Sequence, residues 1–191
     1  HCHLREPGRE DEETIYTGSL SAVSGGFTTI CCMPNTDPPL DNKVSVRFVY
    51  EKGEKSLCEV LPIGAITRKR EGNELAPYFE MIEENAVAFS DDGDCVMDSN
   101  VMRRALEYTL LHKKPIISHS EDKNLSRNGV MNEGYISTKM GLPGIPREAE
   151  EIMVERDIKL AKLTGGILHI AHLSCKESVE SIRRVRKILK I

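Results

Sequence analysis

The sequence predicts an α/β protein whose parallel strands form part of a (β/α)8 TIM-type barrel. Short apolar runs alternate with helical patterns, and the first four runs begin 29 residues apart, near Thr28, Leu57, Ala86 and Pro115. A strand, a helix and two short loops occupy about that length. Polar residues follow these runs, at the strand ends where such a barrel builds its active site. An open doubly wound sheet is the alternative, but no GxGxxG motif follows the early strands to support a dinucleotide site.

The predicted strands are apolar on both faces, which is typical of a parallel sheet covered by helices. A further strand would end with residues 1–5. About five to six of the eight βα units of such a barrel are therefore expected in this chain. The expected strands contain the runs TTICCM, LCEVLPIGA, AVAFS, PIISHS and ILHIAHLS.

Helical periodicity fills the intervals between the strands, and the pairs Gly25-Gly26 and Gly165-Gly166 mark two helix ends. The predicted helices span residues 14–24, 74–85, 99–112, 147–164 and 176–190. In the fourth, we expect a buried stripe made of Ile152, Ile158, Leu160, Ala161 and Leu163. The fifth strand starts 52 residues after the fourth, so residues 124–146, with four glycines and two prolines, are expected to form an extra loop.

The composition is that of a globular chain. It has 191 residues, 39% of them hydrophobic, and a net charge of -4. That charge gives no electrostatic reason to expect nucleic acid or anionic lipid as a partner, and no apolar run approaches the roughly 18 residues of a membrane span. Six scattered cysteines without a CxxC pair predict free thiols in a reducing cytoplasm. The start, HCHLR, is neither a signal peptide nor an initiating methionine, so we expect residues 1–191 to be a piece of a longer protein.

The segment HCHLR is the strongest local signal for chemistry. On a strand, residues i and i+2 face the same side, so His1, His3 and Arg5 would lie in a row. Two imidazoles at that spacing can bind one divalent metal ion, commonly zinc, and the guanidinium can form two parallel hydrogen bonds to a substrate carboxylate. An affinity-tag remnant or a chance HxH is the alternative at this point.

The segment FSDDG ends the third apolar run. Strand alternation places Ala88, Ser90 and Asp92 on one face and Phe89 and Asp91 on the other. We expect the small residues to face the barrel interior, which directs Asp92 into the barrel mouth. An ordinary Asp-Asp-Gly turn is the alternative.

Two more runs end in histidines. His119 follows an apolar strand and has acidic residues just behind it. His169 and His172 are three residues apart, so on a strand only one of them faces inward. We choose His172, which lies nearer the carboxyl end, and expect His169 to be a hydrogen-bonded packing residue.

Taken together, the candidate ligands stand at the ends of four separate strands. A set of four imidazoles and one carboxylate that can bridge suits two divalent ions about 3.5–4 Å apart. Such a pair lowers the pKa of a shared water toward about 7. The set is His1, His3, Asp92, His119 and His172.

At this level of detail the sequence resembles dihydroorotases of the bacterial and archaeal type, within the cyclic amidohydrolases. The resemblance covers essentially the whole chain and is carried by HCHLREPG, GGFTTICCMPNTDPP, AFSDDG, SHSED, HIAHLS and PREAEEIMVERDIKLAKLTGG. The segment MPNT separates this group best from the related allantoinases. An aspartate at position 92 fits a branch in which it replaces the carboxylated lysine that bridges the metals elsewhere.

The resemblance implies a zinc site of one or two ions and a role for each candidate. His1 and His3 would bind the first ion, His119 and His172 the second, and Asp92 both. The implied reaction is the reversible interconversion of dihydroorotate and N-carbamoyl-aspartate in pyrimidine synthesis. The implied substrate-binding residues are His3, Arg5 and Asn35.

The family also has an aspartate at the end of its last barrel strand, which would lie beyond Ile191, so no catalytic proton carrier is assigned within this chain. Residues 1–191 are then expected to form an incomplete barrel domain, with the terminal β-domain and the last barrel strands outside it, and they need not be active alone.

Two other functions compete with dihydroorotase. One is a related cyclic amidohydrolase acting on allantoin or a hydantoin. The other is a catalytically inactive scaffold, for instance for aspartate carbamoyltransferase, although a scaffold has no need of five metal ligands. The expected partners are a small-molecule substrate and either a second copy of the chain or aspartate carbamoyltransferase.

Overall fold

A sheet of five parallel strands forms the centre of the molecule. The computed structural model describes residues 1–187. The main sheet has the order β1-β2-β3-β4-β7, and β5 and β6 form a separate parallel pair. The strands are β1 (Thr29–Cys32), β2 (Glu59–Gly64), β3 (Ala88–Ser90), β4 (Ile116–Ser118), β5 (Met131–Asn132), β6 (Gly144–Ile145) and β7 (Leu168–Ile170).

Helices separate the strands of the main sheet. Several begin at side-chain caps: Thr14 accepts a hydrogen bond from the backbone N–H of Thr17, and Asp98 accepts one from Asn100. A short 3-10 turn covers Arg68–Arg70. The helices are α1 (Ile15–Ser24), α2 (Lys43–Gly53), α3 (Tyr78–Glu83), α4 (Ser99–Leu110), α5 (Lys123–Ser126), α6 (Tyr135–Met140), α7 (Glu148–Thr164) and α8 (Lys176–Val185).

The strand pairing brings all carboxyl ends to one edge of the sheet. Every neighbouring pair is parallel, for example Ile63 with Ala88 and Phe89 with Ile116. Ahead of β1, Cys2 forms a parallel bridge with Cys32, which continues the sheet by one position. The chain therefore supplies six adjacent positions of a parallel array, as the strand pattern predicts.

The two faces of the sheet pack differently. Phe89, Ile116 and Leu168 are fully buried in the large cluster on the helix side. Ala88 belongs to a small second cluster with Met33 and Ile63 on the opposite face. The prediction that Ala88 faces inward and Phe89 outward is confirmed.

One predicted helix start and one predicted loop were wrong, and one helix was missed. The helix expected from residue 74 begins only at Tyr78, because Leu75 and Ala76 pair with the chain at Thr67 and Ile66 instead. Helix α2 was not predicted. Residues 124–146 carry most of α5 and also β5, α6 and β6, and the predicted helix end at residue 190 lies outside the described residues.

The predicted stripe of α7 was also partly wrong. Ile152 and Leu163 are 50% and 66% exposed, whereas Ile158 and Ala161 are buried as expected. The buried face runs through Ala149, Met153, Val154, Asp157, Ile158 and Ala161. A buried aspartate interrupts the apolar pattern, so hydrophobicity alone placed the stripe too far round the helix.

Asp157 belongs to a buried polar network that joins α7 to two loops of the sheet edge. Its Oδ2 atom accepts a hydrogen bond of 2.5 Å from the Ser118 hydroxyl at the end of β4, and its Oδ1 atom lies 2.8 Å from Nε of Arg156. Arg156 Nη1 donates to the carbonyls of Val96 and Met97, at 2.7 and 3.0 Å. Burial raises the pKa of Asp157, and Arg156 opposes that shift.

The cysteines agree with a further expectation. All six cysteines are free thiols. Within residues 1–187, no helix combines the length and the apolar character needed to cross a bilayer.

Candidate metal centre

The five predicted ligands lie together at the carboxyl edge of the sheet. His1 and His3 flank Cys2, which bridges to β1, and Asp92 lies two residues beyond β3. His119 directly follows β4, and His172 lies two residues beyond β7. Residues up to 171 positions apart in sequence therefore meet because parallel strands end at the same edge.

The first three-ligand cluster contains His1, His3 and Asp92. The Nε2 atoms of the two imidazoles are 3.2 Å apart. Each of them is also 3.2 Å from Oδ2 of Asp92. The three atoms form a nearly equilateral triangle.

The second cluster contains Asp92, His119 and His172. Here Oδ1 of Asp92 lies 3.0 Å from Nδ1 of His119 and 2.8 Å from Nε2 of His172. The two imidazole nitrogens are 3.1 Å apart. One carboxylate thus contributes one oxygen to each cluster.

These distances fit the donor set of a divalent metal ion. Tetrahedral coordination with metal–nitrogen bonds of about 2.0–2.1 Å places neighbouring ligand atoms about 3.3 Å apart. Both triangles are close to that size. Each has three protein donors, which leaves room for a water or substrate as a further ligand, as in catalytic zinc sites.

Asp92 is the electrostatic centre of the site. Its side chain is 3% exposed. Burial by itself would raise the pKa of this carboxyl group, but hydrogen bonds from His119, His172 and His3 outweigh it and hold the pKa far below its usual range. Contact with Asp92 in turn raises the pKa of His3 and of His172. The carboxylate therefore stays ionised and attracts positive charge.

Two histidines have a second partner on the ring nitrogen that faces away from Asp92. His3 Nδ1 lies 2.7 Å from Oδ1 of Asn35, and His119 Nε2 lies 3.1 Å from Oε2 of Glu121. Sequence reasoning placed Asn35 on the substrate and gave Glu121 no role. In the structure both hold the orientation of an imidazole, and the amide nitrogen of Asn35 does not take part in this contact.

The position of His172 depends on a backbone turn. The strand ends at Ile170, and His172 adopts a φ of 34°, a left-handed conformation uncommon for a side chain with a Cβ. The choice of His172 agrees with its contact to Asp92. The description of His169 as a hydrogen-bonded packing residue was wrong: it pairs with Ile117 on the interior face and is exposed there.

Arg5 lies at the edge of the site. Its Nε atom is 3.5 Å from Oε2 of Glu12, and the side chain is 37% exposed. No described contact joins it to Asp92, so it stands apart from the two clusters, with its guanidinium accessible to an incoming ligand.

Asp91 anchors the strand end that carries Asp92, a role that sequence reasoning did not assign. Its Oδ1 accepts hydrogen bonds from the backbone N–H groups of Ile66 and Thr67, at 2.8 and 3.0 Å, and its Oδ2 accepts one from the Thr67 hydroxyl at 2.5 Å. Burial raises the pKa of Asp91 to about 6 against those hydrogen bonds. Two adjacent aspartates thus point in opposite directions, as strand alternation predicts.

A cavity of about 760 Å³ opens beside the second cluster. Its walls come from the end of β4, the start of α7 and the loop before α8. His119, Glu121 and His172 contribute to its lining together with Arg147 and Lys176. The candidate metal centre is therefore open to molecules of substrate size.

Comparison with known proteins finds relatives that match almost the whole chain. A family model described as dihydro-orotase-like matches residues 1–178. The chain is 56% identical over 188 residues to the dihydroorotase of Caldicellulosiruptor saccharolyticus, and 55% identical over 186 residues to that of Pelotomaculum thermopropionicum. These matches cover 98% and 97% of the chain but 44% of each relative, so the chain spans less than half the length of these curated relatives.

Solved structures share the fold. L-Hydantoinase (dihydropyrimidinase) from Arthrobacter aurescens matches with a TM-score of 0.76 at 18% identity, over 98% of this chain and 43% of that one. Dihydroorotase from Saccharomyces cerevisiae, in complex with 5-fluoroorotic acid, matches with a TM-score of 0.66 at 15% identity, over 100% of this chain and 51% of that one. At such identities the likeness concerns the fold alone, and it confirms the predicted α/β class with part of a (β/α)8 barrel.

Proposed function

Since the chain belongs to the dihydro-orotase-like family, we propose that its protein is a dihydroorotase, which interconverts dihydroorotate and N-carbamoyl-aspartate by opening and closing a cyclic amide. The observation that carries the proposal is the pair of three-ligand clusters sharing Asp92 in a chain 50–56% identical to several dihydroorotases. The activity of the whole protein is part of the proposal, because the chain covers 44% of those relatives.

Zinc is the metal that we propose for the site, with one or two ions bound. Imidazole nitrogens and a carboxylate oxygen are donors that zinc accepts, and three protein donors at each position are typical of catalytic zinc. When bound, divalent ions supply Lewis-acid chemistry and a strong nucleophile at neutral pH. His1, His3 and Asp92 would hold one ion, and Asp92, His119 and His172 the other.

The side chains around this centre bind and orient the substrate in the proposed reaction. Arg5 has an accessible planar guanidinium, which suits the carboxylate that both reactants carry. Asn35 and His3 are hydrogen-bonded to each other, so the Asn35 amide group has a defined orientation beside the first cluster. We propose that Arg5, Asn35 and His3 together form the substrate-binding side of the site.

The direct test is an assay of the intact protein on three cyclic amides: dihydroorotate, allantoin and a simple hydantoin. We expect opening of dihydroorotate, with loss of activity after treatment with a chelator and recovery when zinc is restored. Hydrolysis of allantoin or hydantoin with dihydroorotate untouched would assign a different cyclic amidohydrolase. Full activity after complete metal removal would reject the metal-dependent mechanism.

Arg5→Lys tests the substrate-binding role. The ammonium group keeps the charge but cannot form two parallel hydrogen bonds, so we expect KM for dihydroorotate to rise about tenfold or more, with kcat little changed. Arg9→Lys is the matched control, because Arg9 lies in the same loop, contacts Glu12 as Arg5 does, and pairs in addition with Asp11. A fall in kcat at constant KM would instead show that Arg5 stabilises the transition state and contributes little to substrate binding.

A further inference from the structure

The imidazole of His119 lies between two carboxylates. Its Nδ1 atom is 3.0 Å from Asp92, and its Nε2 atom is 3.1 Å from Oε2 of Glu121. The His119 side chain is 17% exposed, so solvent has limited access to the ring. The Glu121 side chain is 30% exposed.

This arrangement suits the tautomer of His119 that metal binding requires. A neutral imidazole carries a single N–H, and its other nitrogen offers a lone pair. When Nδ1 gives its lone pair to a metal ion, the single N–H stands on Nε2, where the carboxylate of Glu121 accepts its hydrogen bond. The lone pair of Nδ1 is then directed toward Asp92 and His172, which is the direction that metal binding requires.

We propose that Glu121 is a positioning residue, which orients His119 and makes its Nδ1 atom a better donor for the metal position shared with Asp92 and His172. The inference rests on the proposed metal-dependent function. An outer carboxylate that accepts the second N–H of a metal-binding histidine fixes the ring and increases its basicity. His3 has the neutral amide of Asn35 in the equivalent place, so the two metal positions are unequal.

Other carboxylates in the same cavity do not have this geometry. Glu150 is engaged by the backbone N–H groups of Ser174 and Cys175 at the start of α8. Glu133 lines the cavity and makes no hydrogen bond or ion pair to a histidine among the described residues. Glu121 also belongs to neither three-ligand group found in residues 1–187, which separates it from a direct ligand.

The experiment measures zinc and cobalt binding to the intact protein and to three variants, Glu121→Ala, Glu121→Gln and Glu133→Gln. Metal content and competition with a chelator give the stoichiometry and affinity, and cobalt absorption reports the geometry of each position. For Glu121→Ala we expect one of two ions to bind about 10–100-fold more weakly, with the other unchanged. Glu121→Gln keeps an acceptor oxygen but not the charge, so its loss should be smaller, and Glu133→Gln should match the wild type.

Thermal unfolding of the metal-free proteins checks that each variant folds, and Glu121→Gln, which keeps the side-chain shape, supports the test if Glu121→Ala does not fold. Wild-type affinity for both ions in the folded Glu121 variants would overturn the inference. An equal loss of metal affinity in Glu133→Gln would also overturn it, because the effect would then come from the overall negative charge of the cavity. A wild-type protein without metal binding would overturn the proposed function as well, which distinguishes the two failures.

Discussion

Asp92→Asn is expected to remove metal from both positions and to lower the turnover of the intact protein by at least about 10³-fold. Asp92 provides one oxygen to each three-ligand cluster, so a single substitution weakens both. An amide keeps the shape but loses the negative charge that two cations share. Metal assistance contributes several kcal/mol of transition-state stabilisation, and about 1.4 kcal/mol corresponds to each tenfold in rate.

Two further variants serve as controls for this prediction. Asp94→Asn changes a neighbouring carboxylate that pairs with Arg70 and Lys123 rather than with the histidines, and it should retain both metals. His172→Ala removes a ligand of one cluster only, so it should lower metal content at one position while His1 and His3 keep theirs. Normal metal content and turnover in Asp92→Asn would show that the clusters do not bind the catalytic ions.

Asp157→Ala is expected to destabilise the protein by about 3–5 kcal/mol, because it leaves the Arg156 guanidinium, on a side chain only 14% exposed, without its counter-charge. Asp157 is fully buried and is hydrogen-bonded to Ser118 and paired with Arg156. For a chain of this size such a loss lowers Tm on the order of 10 °C. Denaturant unfolding of the metal-free protein measures the effect without the stabilisation that bound metal adds.

A double variant tests the cause of that loss. In Arg156→Met/Asp157→Leu the buried charges are replaced together, so the destabilisation should be smaller than for Asp157→Ala alone. Asp11→Ala is an exposed control and should change stability by less than about 0.5 kcal/mol. If the double variant loses as much free energy of unfolding as the single variants Arg156→Met and Asp157→Leu lose together, the loss comes from packing and not from the unpaired charge.

The strands were predictable because each is a short apolar run bounded by turn residues. The runs near residues 28, 57, 86, 115 and 167 all contain an observed strand. Helix α2 was not predicted, since its sequence KVSVRFVYEKG is rich in β-branched residues and resembles a strand. The cap at Asn42 and the burial of Val46 and Val49 against β2 make it helical, which is a case of tertiary contacts overriding local propensity.

The candidate site could be predicted to a similar extent. The identity and strand position of His1, His3, Asp92, His119 and His172 are visible in the sequence, and the structure brings these side chains together. Their roles as metal ligands remain predictions. The structure revealed the partners of these residues. Asn35 is distant from His3 in sequence, and the acidic residues behind His119 do not by themselves show which carboxylate contacts its ring.

Sequence alone therefore determined which side chains stand at the strand ends, and for Ala88 and Phe89 also which way each faces, because side chains alternate along a strand. It did not do so for His169 and His172, because the strand ends at Ile170 and the chain turns there. Only the tertiary structure decided which of them touch. Contacts such as Arg156 with the carbonyls of Val96 and Met97, or Asp91 with the backbone of Thr67, join segments from different βα units. The distance between such segments depends on how helices pack on the sheet, which no single stretch of residues encodes.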